Sequence, residues 1–111
     1  MSLKETHCLP VKLGSSCLSP EDVAEYSKEI NPVWKMEEGK KLSRTFLFTD
    51  FVESVEFVHR VADLAEQEQH HPDIHIFYNK VIIDLWTHTV GGLSKNDFIV
   101  AAKIDSMDEP V

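Results

Sequence analysis

Four of the six histidines of this chain, His70, His71, His75 and His88, fall in one short stretch. An imidazole, with an ordinary pKa of about 6.5, gives and takes protons near neutrality. Such a cluster serves either a metal site or a metal-free acid–base site. Zinc takes three or four His, Cys or carboxylate ligands that converge tetrahedrally. Adjacent His70 and His71 converge only where the backbone turns sharply, and Cys8 and Cys17 lie far upstream. The chain has no HExxH helix and no CxxC pair, and His71-Pro72-Asp73 matches no familiar ligand spacing. No metal is therefore expected, and acid–base chemistry fits the pattern better.

That chemistry needs the rings brought together. His70 and His71 fall on a loop that follows a helical pattern, where a rigid scaffold can present them. His88 closes a long strand-like run ahead of Gly91-Gly92. A hairpin turning at Asn79-Lys80 would set position 88 about opposite position 71, so the three imidazoles would meet at one end of a sheet unless a bulge shifts the register. Two or three imidazoles in a pocket can share proton donation and substrate anchoring. The residues by themselves allow a plainer reading equally well, a surface histidine pair with no task. Asp97 stands in Ser94-Lys95-Asn96-Asp97 at the reciprocal position of a capping box. Glu66 reads as a solvated helix residue and Tyr78 as a cross-strand packing residue. Trp34 and Trp86 read as core or interface, and His59 and His75 show only ordinary placement.

The elements that must position these groups follow from the patterning. Ser19-Pro20-Glu21-Asp22 starts a helix, with a capping hydroxyl, proline in the first turn and acids at the positive dipole end. Asn31-Pro32 stops it near Ile30. Trp34–Met36 and Lys41–Phe48 read as strands around the Glu38-Gly39-Lys40 turn. Phe51, Val55, Val58, Ala62 and Ala65 recur at steps of three and four, predicting a helix of about 17 residues capped by Asp50 with Glu53 three positions on. Ile74–Tyr78 and Val81–Thr87 predict two more strands, and Ser94 caps a last helix through about Ile104. The order predicts an α+β fold, a four-stranded antiparallel sheet with three helices packed on one face. Residues 1–18 read as a loose lead-in, 19–105 as a single domain and 106–111 as a tail.

The whole chain, 111 residues with a net charge of -8, is the size of one domain. The acidic balance argues against direct binding to nucleic acid or anionic lipid, since phosphates require a cationic face. No apolar stretch approaches the ~20 residues of a membrane span, and the first residues lack a signal-peptide core. Two cysteines near one end make no disulfide framework, so the expected location is the cytoplasm.

The run Glu66, His70-His71-Pro72, Tyr78, His88, Asp97 resembles, interval by interval, the signature of the pterin-4a-carbinolamine dehydratase family. HHPDIHIFYNKVIIDLWTH followed by GGLSKNDF is similar to that family beyond the fixed positions, and the likeness extends over roughly residues 19–104. The resemblance implies loss of water from a tetrahydropterin hydroxylated at carbon 4a, giving a quinonoid dihydropterin for reuse, with no metal or organic cofactor. It implies His70 and His88 as general acids and His71 as the substrate-orienting member. Pro72 would fix the loop, Thr87, Thr89 and Val90 would line the pocket with the histidines, and Glu66, Tyr78 and Asp97 would support them. Relatives commonly form homodimers or homotetramers, and animal relatives stabilise a dimeric transcription factor, so a non-catalytic binding module is the alternative. Action on another pterin, as in molybdopterin metabolism, is a further one. The chain departs from the animal pattern at Ile74, where an aromatic is frequent, at Gln69 in place of an acid, and at Val90 in place of a cysteine.

Overall fold

The computed structural model describes residues 2–108. Of the tail expected at 106–111, residues 106–108 continue the last helix and the remainder lies outside the described residues. The elements are a 3-10 turn Leu3–Glu5, α1 Pro20–Ser27, β1 Lys35–Glu37, β2 Lys41–Leu47, α2 Phe51–Glu68, β3 Asp73–Phe77, β4 Lys80–Leu85, a 3-10 turn His88–Val90 and α3 Lys95–Asp108. The strands form one antiparallel sheet in the order β1-β2-β4-β3. This is the expected α+β architecture.

The helix starts follow the local chemistry. The Ser19 side chain accepts from the Asp22 N–H, with Pro20 at the first helical position. Asp50 Oδ1 accepts from the Glu53 N–H, and Glu53 Oε1 accepts in return from the Thr49 N–H. These bonds satisfy donors that a helix N-terminus otherwise leaves unpaired. α1 ends earlier than the Asn31-Pro32 stop, with the amides of Lys28 and Glu29 closing its last turn on Glu25 and Tyr26.

Strand alternation puts Leu42 and Phe46 of β2 and Val81, Ile83 and Leu85 of β4 on one face, all buried. α2 covers that face with Phe57 and Val61, and Phe57 packs its ring 4.6 Å from Phe46 and 5.1 Å from Phe48. Tyr26 of α1 lies 5.7 Å from Phe98 of α3. Asp105 ties the first strand pair to α3, accepting from Trp34 Nε1 at 2.7 Å, Arg44 Nη1 at 2.5 Å and the Asn31 N–H at 2.8 Å. The opposite sheet face is open, carrying His75, Phe77, Lys41 and Leu47. No helix among the described residues is long and apolar enough to cross a membrane.

α3 is buried nearly all round, through Phe98, Ile99, Val100, Ala101, Ala102 and Ile104. A helix apolar on every side needs a cover on its outer side too. The segment read as a lead-in supplies it: the Leu3–Glu5 turn lies along α3 and Leu3 is 3% exposed. The Leu3 N–H donates to Glu29 and the Lys4 carbonyl accepts from Lys103 Nζ.

The β3–β4 hairpin turns at Tyr78-Asn79, one residue earlier than the Asn79-Lys80 expected, with Phe77 opposite Lys80 and Asp73 opposite Asp84. Tyr78 takes φ +51° to make the turn. The slip shifts every cross-strand partner by two positions. β4 also ends at Leu85, so His88 is reached through a short turn and pairs with no residue of β3.

Candidate active site

Three elements deliver the site. α2 ends at Gln69, whose left-handed backbone (φ 53°) returns its amide, and that of His70, to the Ala65 carbonyl. That reversal throws His70 off the helix axis toward α3. There His70 Nε2 meets Asp97 Oδ1 at 2.6 Å. Asp97 is fully buried, and its Oδ2 accepts from the Thr87 hydroxyl at 2.7 Å and the Ser94 N–H at 2.9 Å. The Ser94 bond is the reciprocal half of the capping box read from the sequence. The cap and the histidine partner are thus the same carboxylate, one oxygen serving each.

The His70 side chain is only 12% exposed. With Thr87 and Thr89 it lines a cleft of about 480 Å³, together with Cys8–Val11, Glu68 and Asn96. His71 and Glu66 are exposed and meet at 2.5 Å between Nε2 and Oε2. His88 is exposed and stacks on Trp86, ring centroids 3.7 Å apart. The residues lining the His70 cleft include neither His71 nor His88. Pro72 is half-buried between His71 and the first residue of β3. The Val90 carbonyl accepts from the Cys17 thiol. Tyr78, at the hairpin tip, is about 16 Å of strand away from the His70 end at ~3.3 Å per residue, and is exposed. Among the described residues no three His, Cys, Asp or Glu side chains gather as a metal ion would need.

Sequence reading missed Glu68, Asn96 and the segment Cys8–Val11. Glu68 sits at the base of the cleft with its side chain 4% exposed. It accepts from the Cys8 N–H at 2.7 Å, meets His7 Nδ1 at 2.9 Å and has Lys103 Nζ 3.6 Å away. Burial pushes the Glu68 carboxyl up, but the Cys8 amide, His7 and Lys103 outweigh it and hold the group below its ordinary value. The same surroundings act oppositely on Cys8: burial first, then the Glu68 charge, push its thiol up to about 12. Cys8 is therefore a neutral thiol at physiological pH, not a nucleophile.

A depressed carboxyl adds stability that is fully present above its unfolded-state pKa and is lost as pH falls through the lower folded value. The Glu68 tie should accordingly persist from neutral pH down past the ordinary 4.5 and loosen only in stronger acid. Amide exchange at Cys8, followed by NMR on descending pH, should show protection falling in that lower range. In Glu68→Gln the acid-dependent step should vanish.

A small antiparallel sheet backed by helices thus carries, at the wall of a cleft, a histidine held by a buried carboxylate. The chain belongs to the pterin 4 alpha carbinolamine dehydratase family, whose sequence profile matches residues 16–107. It is 38% identical over 104 residues to a Rickettsia bellii protein provisionally named a pterin-4-alpha-carbinolamine dehydratase, covering 94% of this chain and 92% of that one. A Xanthomonas campestris protein with the same provisional name is 42% identical over 103 residues, covering 92% and 86%. Among solved structures, a transcriptional coactivator/pterin dehydratase from Brucella melitensis superposes with a TM-score of 0.76 at 27% identity, covering 85% of this chain and all of that one. A pterin dehydratase-like RuBisCO assembly factor of the alpha-carboxysome shares the fold at a TM-score of 0.57 and 24% identity, covering 67% and 87%.

Proposed function

We propose that this protein dehydrates a pterin-4a-carbinolamine to the quinonoid dihydropterin, in regeneration of a tetrahydrobiopterin-type cofactor, with His70 and His88 as its acid–base groups. The observation that carries the reading is the His70–Asp97 pair on the wall of a cleft, in a chain of this family. In the reaction the ring nitrogen beside carbon 4a closes a C=N bond with its lone pair as the C–O bond breaks. The departing oxygen takes a proton from an acid, and the nitrogen gives its own proton to a base, so water is the only by-product.

His70 suits both transfers. With Nε2 directed at Asp97, Nδ1 is the nitrogen left for exchange. It accepts a proton when the ring is neutral and donates one when the ring is charged. Asp97 cannot turn away, because Thr87 and Ser94 hold its other oxygen. His88, on its Trp86 platform, would approach the substrate from the second face, and His71, steadied by Glu66, would orient it. Thr87, Thr89, Pro72 and Val90 would complete the pocket.

The test is stopped-flow absorbance on freshly generated 4a-hydroxytetrahydropterin. The protein should accelerate dehydration, and exhaustive chelation should leave the rate unchanged. Loss of activity restored by zinc would replace the metal-free mechanism with a metal-dependent one. A folded protein giving no acceleration would favour the binding-module alternative. The exposed Phe51, Val52 and Val55 on α2, and Ile76 and Phe77 on edge strand β3, support self-association as a homodimer or homotetramer.

A further inference from the structure

Beyond the Leu3–Glu5 turn, the N-terminal segment forms a wall of the His70 cleft. Cys8, Leu9, Pro10 and Val11 line that cleft, and all four precede residue 16, where the family match begins. Glu68 ties down the near end through the Cys8 amide. Asn96 then grips Leu9 at two points, its Oδ1 accepting from the Leu9 N–H at 3.1 Å and its Nδ2 donating to the Leu9 carbonyl at 2.7 Å. This imitates a rung of a β-ladder with a side-chain amide.

The far end is tied to the turn that carries His88. The Cys17 thiol donates to the Val90 carbonyl at 3.1 Å, and the Leu18 N–H to the Leu93 carbonyl at 3.0 Å. A Cβ on Gly92 would stand 2.9 Å from Cys17 Sγ, so glycine there admits the approach. Between these ties Leu9, Pro10 and Val11 also line a second cleft of about 410 Å³ that reaches Lys12, Lys95 and Ile99. A span bordered by two clefts takes its position from its hitching point, Asn96, which lines both.

We propose that Cys8–Val11 is a substrate-binding wall for the apolar face of a flat pterin, and that Asn96 is the residue that positions it. The proposal rests on the pterin reading of the cleft. A fused heterocycle has apolar faces and a polar rim. Leu9, Pro10 and Val11 offer apolar surface for the former, while His70 and the Thr89 hydroxyl suit the latter. A wall of this kind grips ground state and transition state alike, so its loss raises KM and spares kcat.

The experiment compares wild type, Asn96→Ala and the double variant Leu9→Gly/Val11→Gly. It combines dehydration kinetics with a fluorescence titration of biopterin, a stable oxidised pterin that binding alone can report. Thermal denaturation confirms that each variant is folded. Both variants should raise KM, and Kd for biopterin, by about tenfold with kcat within about twofold. Unchanged KM and Kd in the double variant would overturn the wall. A fall in kcat without a rise in KM for Asn96→Ala would overturn the positioning role and assign its effect to neighbouring Asp97. If wild type binds biopterin yet dehydrates nothing, the dehydratase reading fails while the Kd values still decide the wall. If wild type binds no pterin, both fall together.

Discussion

His70→Ala/His88→Ala should slow dehydration by about 10²–10⁴-fold, the usual contribution of positioned acid–base groups, while the protein stays folded. Each single substitution should cost at least about tenfold, and the structure ranks them. His70 lines the cleft and is held by a buried carboxylate, whereas His88 is exposed on Trp86. His70→Ala should therefore be the more damaging. His88→Ala removes an exposed ring and should leave thermal stability almost unchanged. His70→Ala strips Asp97 Oδ1 of its donor and should cost roughly 1–3 kcal/mol. Stopped-flow rates with circular-dichroism melts decide both parts. A double variant as fast as wild type would remove the histidines from the mechanism.

The second large effect is expected at Asp97. Its carboxylate is fully buried and meets three partners, His70, Thr87 and Ser94. Asp97→Ala leaves those three donors without an acceptor, and each buried donor left unsatisfied costs about 1–3 kcal/mol. Urea denaturation should show a loss of that size. Asp97→Asn separates the structural part from the chemical one. The amide keeps the volume and one acceptor, so Ser94 and Thr87 stay served and the stability loss should be smaller. Its NH₂ then faces His70 Nε2, which must accept instead of donate, moving the neutral ring's proton to Nδ1. The nitrogen that should face the substrate as a base is then blocked, and kcat should fall at least about tenfold, the low end of an acid–base contribution. Asp97→Asn with wild-type kcat would show that tautomer control by this residue is not required.

Helices and strands were legible where local chemistry fixes them. α2 begins at Asp50 because its side chain and that of Glu53 satisfy neighbouring amides, and both residues advertise this in the sequence. The hairpin was legible to within one residue. Asn79-Lys80 carried the turn signal, yet the chain turns at Tyr78-Asn79, and that choice sets Ile74 and Ile76 opposite Ile83 and Val81 on the core side. Keeping Ile74 and Ile76 on the side of the buried Ile83 and Val81 outweighs the strain of one tyrosine at positive φ. In the site, Asp97 was identifiable as a cap, but its bond to His70 spans two helices that no local rule connects. The strap was missed because weak periodicity with Pro10, Gly14, Ser15 and Ser16 makes residues 1–18 read as a loose lead-in. One signal did exist: Phe98–Ile104 is apolar at every position but Lys103, and such a helix requires a cover that the strands alone cannot supply.

The ties of that strap also impose an order of assembly. Lys4, Cys8 and Leu9 emerge early in synthesis, while their partners Lys103, Glu68 and Asn96 lie 60 to 99 positions further on. Closing loops of that length costs entropy that only a formed docking surface repays. During translation the ties to Asn96 and Lys103 can therefore close only after the last helix has left the ribosome. The cleft is complete only with that helix in place, and a chain cut short of it would hold His70 without the Asn96-anchored wall beside it.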